Sequence, residues 1–162
     1  MKNLALLAIL LATAGVAAAD GGHEHGKQRS QAAAGEEYAF GRAGDPAKAT
    51  RTVRVDMSDK MRFTPDRLVV RQGETVKFIV RNRGKVEHEL VIGRHDDLKA
   101  HAELMKKHPN MEHDDPYGVE VEPGKTGTIV WQFTKAGQFH FGCLVPGHLE
   151  SGMVGQIAVQ SR

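Results

Sequence analysis

Apolar and polar residues alternate along most of the chain from Arg51 onward, and this limits the folds open to it. Successive side chains of a β-strand point to opposite faces, so a period of two is typical of strands with one buried face. Turns containing glycine separate the segments, in "RQGET", "RNRGK" and "EPGKTG". The residues that share a face within each segment are Val53, Val55 and Met57; Leu68 and Val70; Val76, Phe78 and Val80; Ile129, Trp131 and Phe133; and Phe139, Phe141 and Cys143.

About seven short strands separated by turns are typical of a sandwich or barrel with Greek-key connections. Residues 51–162 are long enough for one domain with its own core, but not for two. The pattern therefore predicts an all-β Greek-key sandwich or barrel over residues 51–162.

One segment, residues 94–118, does not alternate and is rich in methionine and histidine. Asp96 or Asp97 is expected to cap a helix that ends near Lys107, because Pro109 and Asn110 follow. We predict a short inserted helix and loop within the β-domain.

Residues 1–19 have the pattern of a signal peptide: Lys2, an apolar run, then three alanines before Asp20. A membrane anchor is the alternative, but the run is short for the ~20 apolar residues of a spanning helix. We expect removal of this segment, a periplasmic protein and no membrane span afterwards.

Residues 20–50 contain Gly, Ala, Gln and charged residues but no apolar period that could form a core face. We expect a flexible, disordered N-terminal arm that carries His23 and His25. The net charge of the chain is +2 and no long block of one sign occurs, so nothing indicates a nucleic-acid partner.

The chain has a single cysteine, Cys143, in "CLVPGHLESGM", which also contains His148 and Met153. A single cysteine in an exported protein suggests a reactive thiol, an intermolecular disulfide or a metal ligand. One thiolate, two imidazoles and a thioether form the trigonal site that suits copper. His88, at the start of a predicted strand and on the same face as Leu90 and Ile92, supplies the second imidazole.

Two other interpretations of these residues are weaker. A lone cysteine is often only a small buried hydrophobic residue, and Met153 could be a core residue. Zinc also binds cysteine and histidine, but structural zinc sites seldom include a thioether.

The stretches "TVRVDMSDKMRFTPDRLVVRQGETVKFIVRN", "HEL" and "GCLVPGHLESGMVGQIAV" resemble the cupredoxins, the blue-copper fold of plastocyanin and azurin. The resemblance is closest to periplasmic copper-tolerance cupredoxins of the CopI type, which also carry a histidine-bearing arm and a Met/His-rich insertion. It implies a type 1 copper centre with His88, Cys143, His148 and Met153 as the copper ligands.

Further copper ligands are expected outside this centre. His101 and Met105 are four residues apart on the predicted helix, His108 follows near the same face, and Met111 and His113 extend the group. The alternative is that Leu98, Met105 and Leu104 form the buried face of the helix. His23 and His25 in the arm are the last candidates, although histidines in such a tail are often only solvated.

Two functions remain open. The first is copper tolerance, in which the protein binds Cu(I), with copper ions and a periplasmic redox or copper-transfer protein as partners; whether it also oxidises Cu(I) weakly, as an enzyme would, is left open. The second is a blue-copper electron carrier, which would meet its partners through the edge of His148 and the apolar residues Leu144, Val145, Pro146 and Leu149. One domain has too few ligand motifs for a multicopper enzyme. The additional histidines and methionines favour copper tolerance, because electron transfer does not need them.

Overall fold

The computed structural model describes residues 35–108 and 115–162. The predicted signal peptide and the candidate ligands His23, His25, Met111 and His113 lie outside these residues. The strands are β1 (Glu37–Tyr38), β2 (Gly41–Ala43), β3 (Arg51–Ser58), β4 (Arg62–Thr64), β5 (Arg67–Arg71), β6 (Thr75–Asn82), β7 (His88–Gly93), β8 (Gly118–Val121), β9 (Thr126–Gln132), β10 (Gly137–Gly142) and β11 (Val154–Gln160). A 3-10 helix covers Pro46–Lys48, and the α-helix α1 covers His95–Lys107.

The strands form two sheets that pack face to face. One has the order β1-β2-β9-β6-β3-β4 and the other the order β5-β11-β10-β7-β8. Most neighbours are antiparallel, but β3 with β6 and β5 with β11 are parallel pairs. Parallel neighbours need crossover connections, and in this chain those connections run from one sheet to the other and back. The predicted all-β sandwich is confirmed.

The core lies between the sheets and contains the residues that the alternation selected. The exposed fraction is at most 1% for Val55, Phe78, Trp131 and Phe141. Burial of such a side chain contributes roughly 1.5–3 kcal/mol to the free energy of unfolding, so these residues dominate the stability of the sandwich. The predicted inward faces are confirmed, with residues at strand ends such as Leu68 only half-buried.

The boundary of the N-terminal arm was predicted wrongly. Residues 37–43 form β1 and β2, and β2 pairs with β9 at the edge of the six-stranded sheet. Phe40 is buried in the core, stacks on Trp131 with ring centroids 5.3 Å apart, and accepts a 3.0 Å hydrogen bond from the indole Nε1 on its carbonyl. Tyr38 also packs against the core, but two aromatic residues in such short strands do not make a recognisable period, so the pattern could not reveal them. Residues 37–43 therefore belong to the folded domain and not to the predicted arm.

Helix α1 follows β7 and begins at His95, with Arg94 as its N-cap residue. The prediction that Asp96 or Asp97 caps it is wrong: both lie within the first turn, and the Arg94 guanidinium binds the Asp97 carboxylate at 2.7 Å. Acidic side chains in the first turn still stabilise the helix through its dipole. The predicted end at Lys107 is confirmed.

The buried face of α1 packs on the outer side of the five-stranded sheet. Leu98, Ala102 and Met105 contact Leu144, the residue after the cysteine, in a second apolar cluster. Lys106 binds both Glu103 of the helix and Glu150 of the loop after Leu144, at 2.7 and 2.6 Å. No helix in the described part of the chain is long and apolar enough to cross a membrane.

Candidate metal centre

Three neighbouring strands bring distant parts of the sequence to one end of the sandwich. Gly142, the last residue of β10, is paired with Val91 of β7 on one side and with Val154 of β11 on the other. Cys143 follows β10, His88 begins β7 and Met153 precedes β11. All three positions therefore meet at the same edge.

The loop between β10 and β11 is closed by its own backbone. The Cys143 N–H donates to the Met153 carbonyl at 3.1 Å, and the Met153 N–H donates to the His148 carbonyl at 3.0 Å. Gly152 has φ +90°, a conformation that side chains disfavour, and a Cβ there would lie 2.9 Å from the Arg62 guanidinium. The spacing of five residues between Cys143, His148 and Met153 thus suits a compact turn that places all three together.

Three ligand atoms converge between these elements. The Cys143 Sγ lies 3.2 Å from His148 Nδ1 and 4.0 Å from His88 Nδ1. All three atoms lie within 4.8 Å of one another, and no other set of three or more His, Cys, Asp or Glu residues in the described ranges does so. A thiolate with two imidazole nitrogens in this arrangement fits copper.

Asp59 determines which nitrogen of His88 is free. Its carboxylate lies 3.2 Å from His88 Nε2 and accepts two hydrogen bonds from the Lys85 N–H, at 3.0 and 2.8 Å. The hydrogen bonds from the Lys85 N–H, and to a smaller extent the hydrogen bond with His88, hold the pKa of the Asp59 carboxyl below its usual range. A proton on Nε2 leaves a lone pair on Nδ1, which faces the cysteine.

We expect replacement of Asp59 by alanine to lower the copper affinity of the centre about 10- to 100-fold, because the His88 ring loses the group that orients it. Competition with a copper chelator would measure this. Asp56 provides the control, since its carboxylate is only three residues away in sequence but, among residues 35–108 and 115–162, is paired with Arg83 alone. Asp56→Ala should leave the affinity unchanged, and equal affinities in both variants would contradict a role for Asp59.

Cys143 is fully buried, and its sulfur accepts a hydrogen bond from the Glu89 N–H at 3.4 Å. Burial raises the pKa of the thiol to about 12, so the metal-free protein keeps the proton on sulfur at neutral pH. A metal ion bound there must displace this proton. Met153 is also fully buried and belongs to the same core cluster as Cys143.

Glu89 is a buried acid beside the centre that the sequence analysis missed. Its Oε1 accepts a 2.6 Å hydrogen bond from the Leu144 N–H, which ties the loop to β7. Burial raises the pKa of Glu89 to about 7. A glutamate at an apolar position immediately after a candidate ligand was the signal that could have revealed it.

The candidate ligands of the insertion are not all placed as predicted. Met105 is buried among Leu98, Ala102 and Leu144, so it belongs to the core-facing side of α1 and not to an exposed copper-binding surface. Leu104, by contrast, is 43% exposed. His101 is half-buried and His108 is exposed, so these two remain accessible.

The surface around His148 is less apolar than predicted. Leu144 is fully buried under α1 and is not part of the surface. Val145, His148 and Leu149 are half-buried and Pro146 is exposed. The apolar rim of the centre is therefore formed by Val145, Pro146 and Leu149.

Solved structures share this fold at low sequence identity. A reduced auracyanin from Roseiflexus castenholzii superimposes with a TM-score of 0.59 and 20% identity, covering 68% of this chain and 98% of that one. An azurin from Methylomonas sp. strain J gives a TM-score of 0.55 and 17% identity, over 69% of this chain and 99% of the azurin. These similarities establish the architecture.

Sequence comparison gives closer relatives. The profile of copper binding proteins of the plastocyanin/azurin family matches residues 49–160. The copper-resistant cuproprotein CopI of Rubrivivax gelatinosus is 53% identical over an alignment of 165 positions, which covers 99% of this chain and 100% of that protein. The CopI protein of Pseudomonas aeruginosa is 36% identical, covering 81% of this chain and 88% of its own length. The chain therefore belongs to the plastocyanin/azurin family of copper-binding proteins, as a CopI-type cupredoxin with copper as its cofactor.

Proposed function

We propose that this protein confers copper tolerance in the periplasm by binding copper at a type 1 centre formed by His88, Cys143, His148 and Met153. The convergence of Cys143 Sγ with two imidazole nitrogens within 4.8 Å carries the proposal. The full-length similarity to proteins named copper-resistant cuproproteins supports the biological role.

Copper bound at such a centre supplies one-electron chemistry between Cu(I) and Cu(II). The protein contributes a site that needs little rearrangement. Asp59 holds the His88 ring, Glu89 fixes the backbone beside Cys143, and the backbone hydrogen bonds of the loop fix His148 relative to Met153. Rigid ligands suit both oxidation states, so the site can retain copper whichever form arrives.

We also propose that residues 1–19 are an export signal and that accessory residues bind copper outside the centre. Of the latter, His101 and His108 are accessible on or just after α1, and the others are His23, His25, Met111 and His113. Weak oxidation of Cu(I) is part of the proposal, with the released electron passing to a periplasmic redox partner. Growth at raised copper of a strain lacking this protein tests the function, and copper sensitivity is the expected result.

The second candidate function is electron transfer without a role in copper tolerance. The observation in its favour is the position of His148, which is half-buried and is surrounded by Val145, Pro146 and Leu149. A partner docked on this rim would reach a copper ligand directly. A requirement for the protein when copper is scarce would distinguish this function from the first.

Replacement of Met153 by leucine tests the fourth ligand. We expect copper to remain bound through the other three ligands, whereas the visible spectrum changes and the reduction potential rises. The potential rises because loss of a sulfur donor and gain of an apolar group disfavour Cu(II) more than Cu(I). The two side chains have similar volumes, so the free energy of unfolding should fall by less than about 1.5 kcal/mol.

Spectroscopy and voltammetry of the copper-loaded variant would measure these changes. Met57→Leu is the control, because Met57 is equally buried but lies on β3, among the core residues of the opposite sheet. An unchanged spectrum and potential in Met153→Leu would remove Met153 from the ligand set.

A further inference from the structure

A second pair of histidines lies outside the copper centre, on the outer face of the five-stranded sheet. His140 is in the middle of β10, on the face opposite to the buried Phe139 and Phe141. His95 is the first residue of α1. The helix begins directly above the strand, so the two rings meet with centroids 5.0 Å apart and planes at 50°.

This ring geometry is nearly the same as that of the two histidines of the copper centre. The rings of His88 and His148 have centroids 5.0 Å apart and planes at 51°. In that pair the Nδ1 atoms are close enough to share one metal ion with the cysteine. Ring spacing alone therefore allows His95 and His140 to bind a common ion.

His140 also has an unused nitrogen. Its Nδ1 is buried and has no hydrogen-bond partner among residues 35–108 and 115–162. Buried polar atoms normally have a partner, because an unsatisfied one costs about 1–3 kcal/mol. Burial of the ring lowers the pKa of His140, and the nearby His95 lowers it further by a smaller amount. The ring is therefore neutral at pH 7 and has a lone pair to donate.

A surface cavity adjoins the pair and offers oxygen donors. It has a volume of about 180 Å³ and is lined by Asp66, Arg67, His95, His140, Val154 and Gln156. The Gln156 amide can supply an oxygen, water can fill the remaining positions, and the Asp66 carboxylate adds negative charge to the cavity wall. Arg67 opposes a cation here, whereas Asp66 and Asp96, which lies 3.6 Å from His95 Nδ1, favour one.

We propose that His95 and His140 form a second copper site that binds Cu(II), with oxygen ligands from Gln156 or water and the Asp66 carboxylate as a nearby negative charge. Two imidazoles with oxygen donors suit tetragonal Cu(II), and nitrogen and oxygen sites bind copper more tightly than other divalent first-row metals. The choice of copper over other metals rests on the proposed function. His140 is in β10 and Cys143 directly follows this strand three residues later, so the two residues are about 10 Å apart along the chain.

The test is diffraction at the copper absorption edge from crystals of the protein loaded with excess Cu(II). We expect one anomalous peak beside Cys143 and another between the His95 and His140 rings. A peak at Cys143 without the second one overturns this proposal and leaves the proposed function intact. Absence of the Cys143 peak contradicts the proposed function instead. A second peak that forms only with zinc overturns the assignment to copper.

Equilibrium dialysis in solution provides the independent measurement. His95→Gln and His140→Gln should each lose one tightly bound copper ion, and the double variant should lose no more than either single variant, because the two residues share one ion. Additive losses, or no loss, would overturn the shared site. His95 is exposed at the helix start, so its replacement does not disturb the core. The Cys143-dependent visible band should persist in all three variants.

Discussion

Replacement of Cys143 by alanine is expected to abolish the intense visible absorption of the Cu(II)-loaded protein. That absorption arises from charge transfer between sulfur and copper, and Cys143 supplies the only thiol of the chain. Among the described residues, Cys143 supplies the sulfur of the one group of three converging His, Cys, Asp or Glu ligands, with His88 and His148. Absorption spectra of wild type and variant, each titrated with Cu(II), would measure the loss.

Ser151→Ala is the matched control for this experiment. Its hydroxyl donates to the Gly147 carbonyl at 2.7 Å within the same loop, but Ser151 is exposed and is not a candidate ligand. The control should keep the band, which would show that a small change in the loop does not remove it. A band that survives in Cys143→Ala, or that never forms in wild type, would contradict the type 1 assignment.

The fold could be predicted from the sequence because its core consists of long alternating strands. Val55 and Met57 on β3, and Phe78 and Val80 on β6, occupy the buried face that a period of two predicts. Strands of two to four residues, such as β1 and β4, are too short to show a period. They form because neighbouring strands offer unpaired backbone groups, and this information is not local in the sequence.

The candidate ligands Cys143, His148 and Met153 could be predicted because they share one short loop. The residues that support them could not be found in this way. Asp59 lies 29 residues before His88, and its role depends on the turn at Lys85 that points backbone N–H groups at its carboxylate. His95 and His140 are likewise brought together only by the docking of α1 on the sheet.

The inserted helix is coupled to the copper centre through packing. Met105 was predicted to be a ligand because methionine is a soft donor, but its position on the helix face that contacts Leu144 gives it a structural role. Leu144 is in turn held by Glu89 and follows Cys143 directly. Helix α1 is therefore anchored beside the loop that contains Cys143 and His148.

The remaining large effect concerns growth. We expect cells that lack this protein to grow normally when copper is scarce and to fail when copper is raised. A gene encoding the wild-type chain should restore growth at raised copper, whereas the Cys143→Ala chain should not, because it lacks the thiolate that retains copper. Growth rates across a range of copper concentrations, with equal amounts of both proteins, would measure this.

The copper dependence of the defect separates the two candidate functions. An electron carrier is needed whenever its pathway operates, so its loss should slow growth even at low copper. A copper-tolerance protein matters only when the ion is in excess, because its contribution is binding capacity: the buried centre, the accessible His101 and His108, and the proposed His95–His140 site. A defect independent of copper, or full resistance in the deletion strain, would favour the electron carrier. Growth restored by Cys143→Ala, in part or in full, would contradict the requirement for the thiolate.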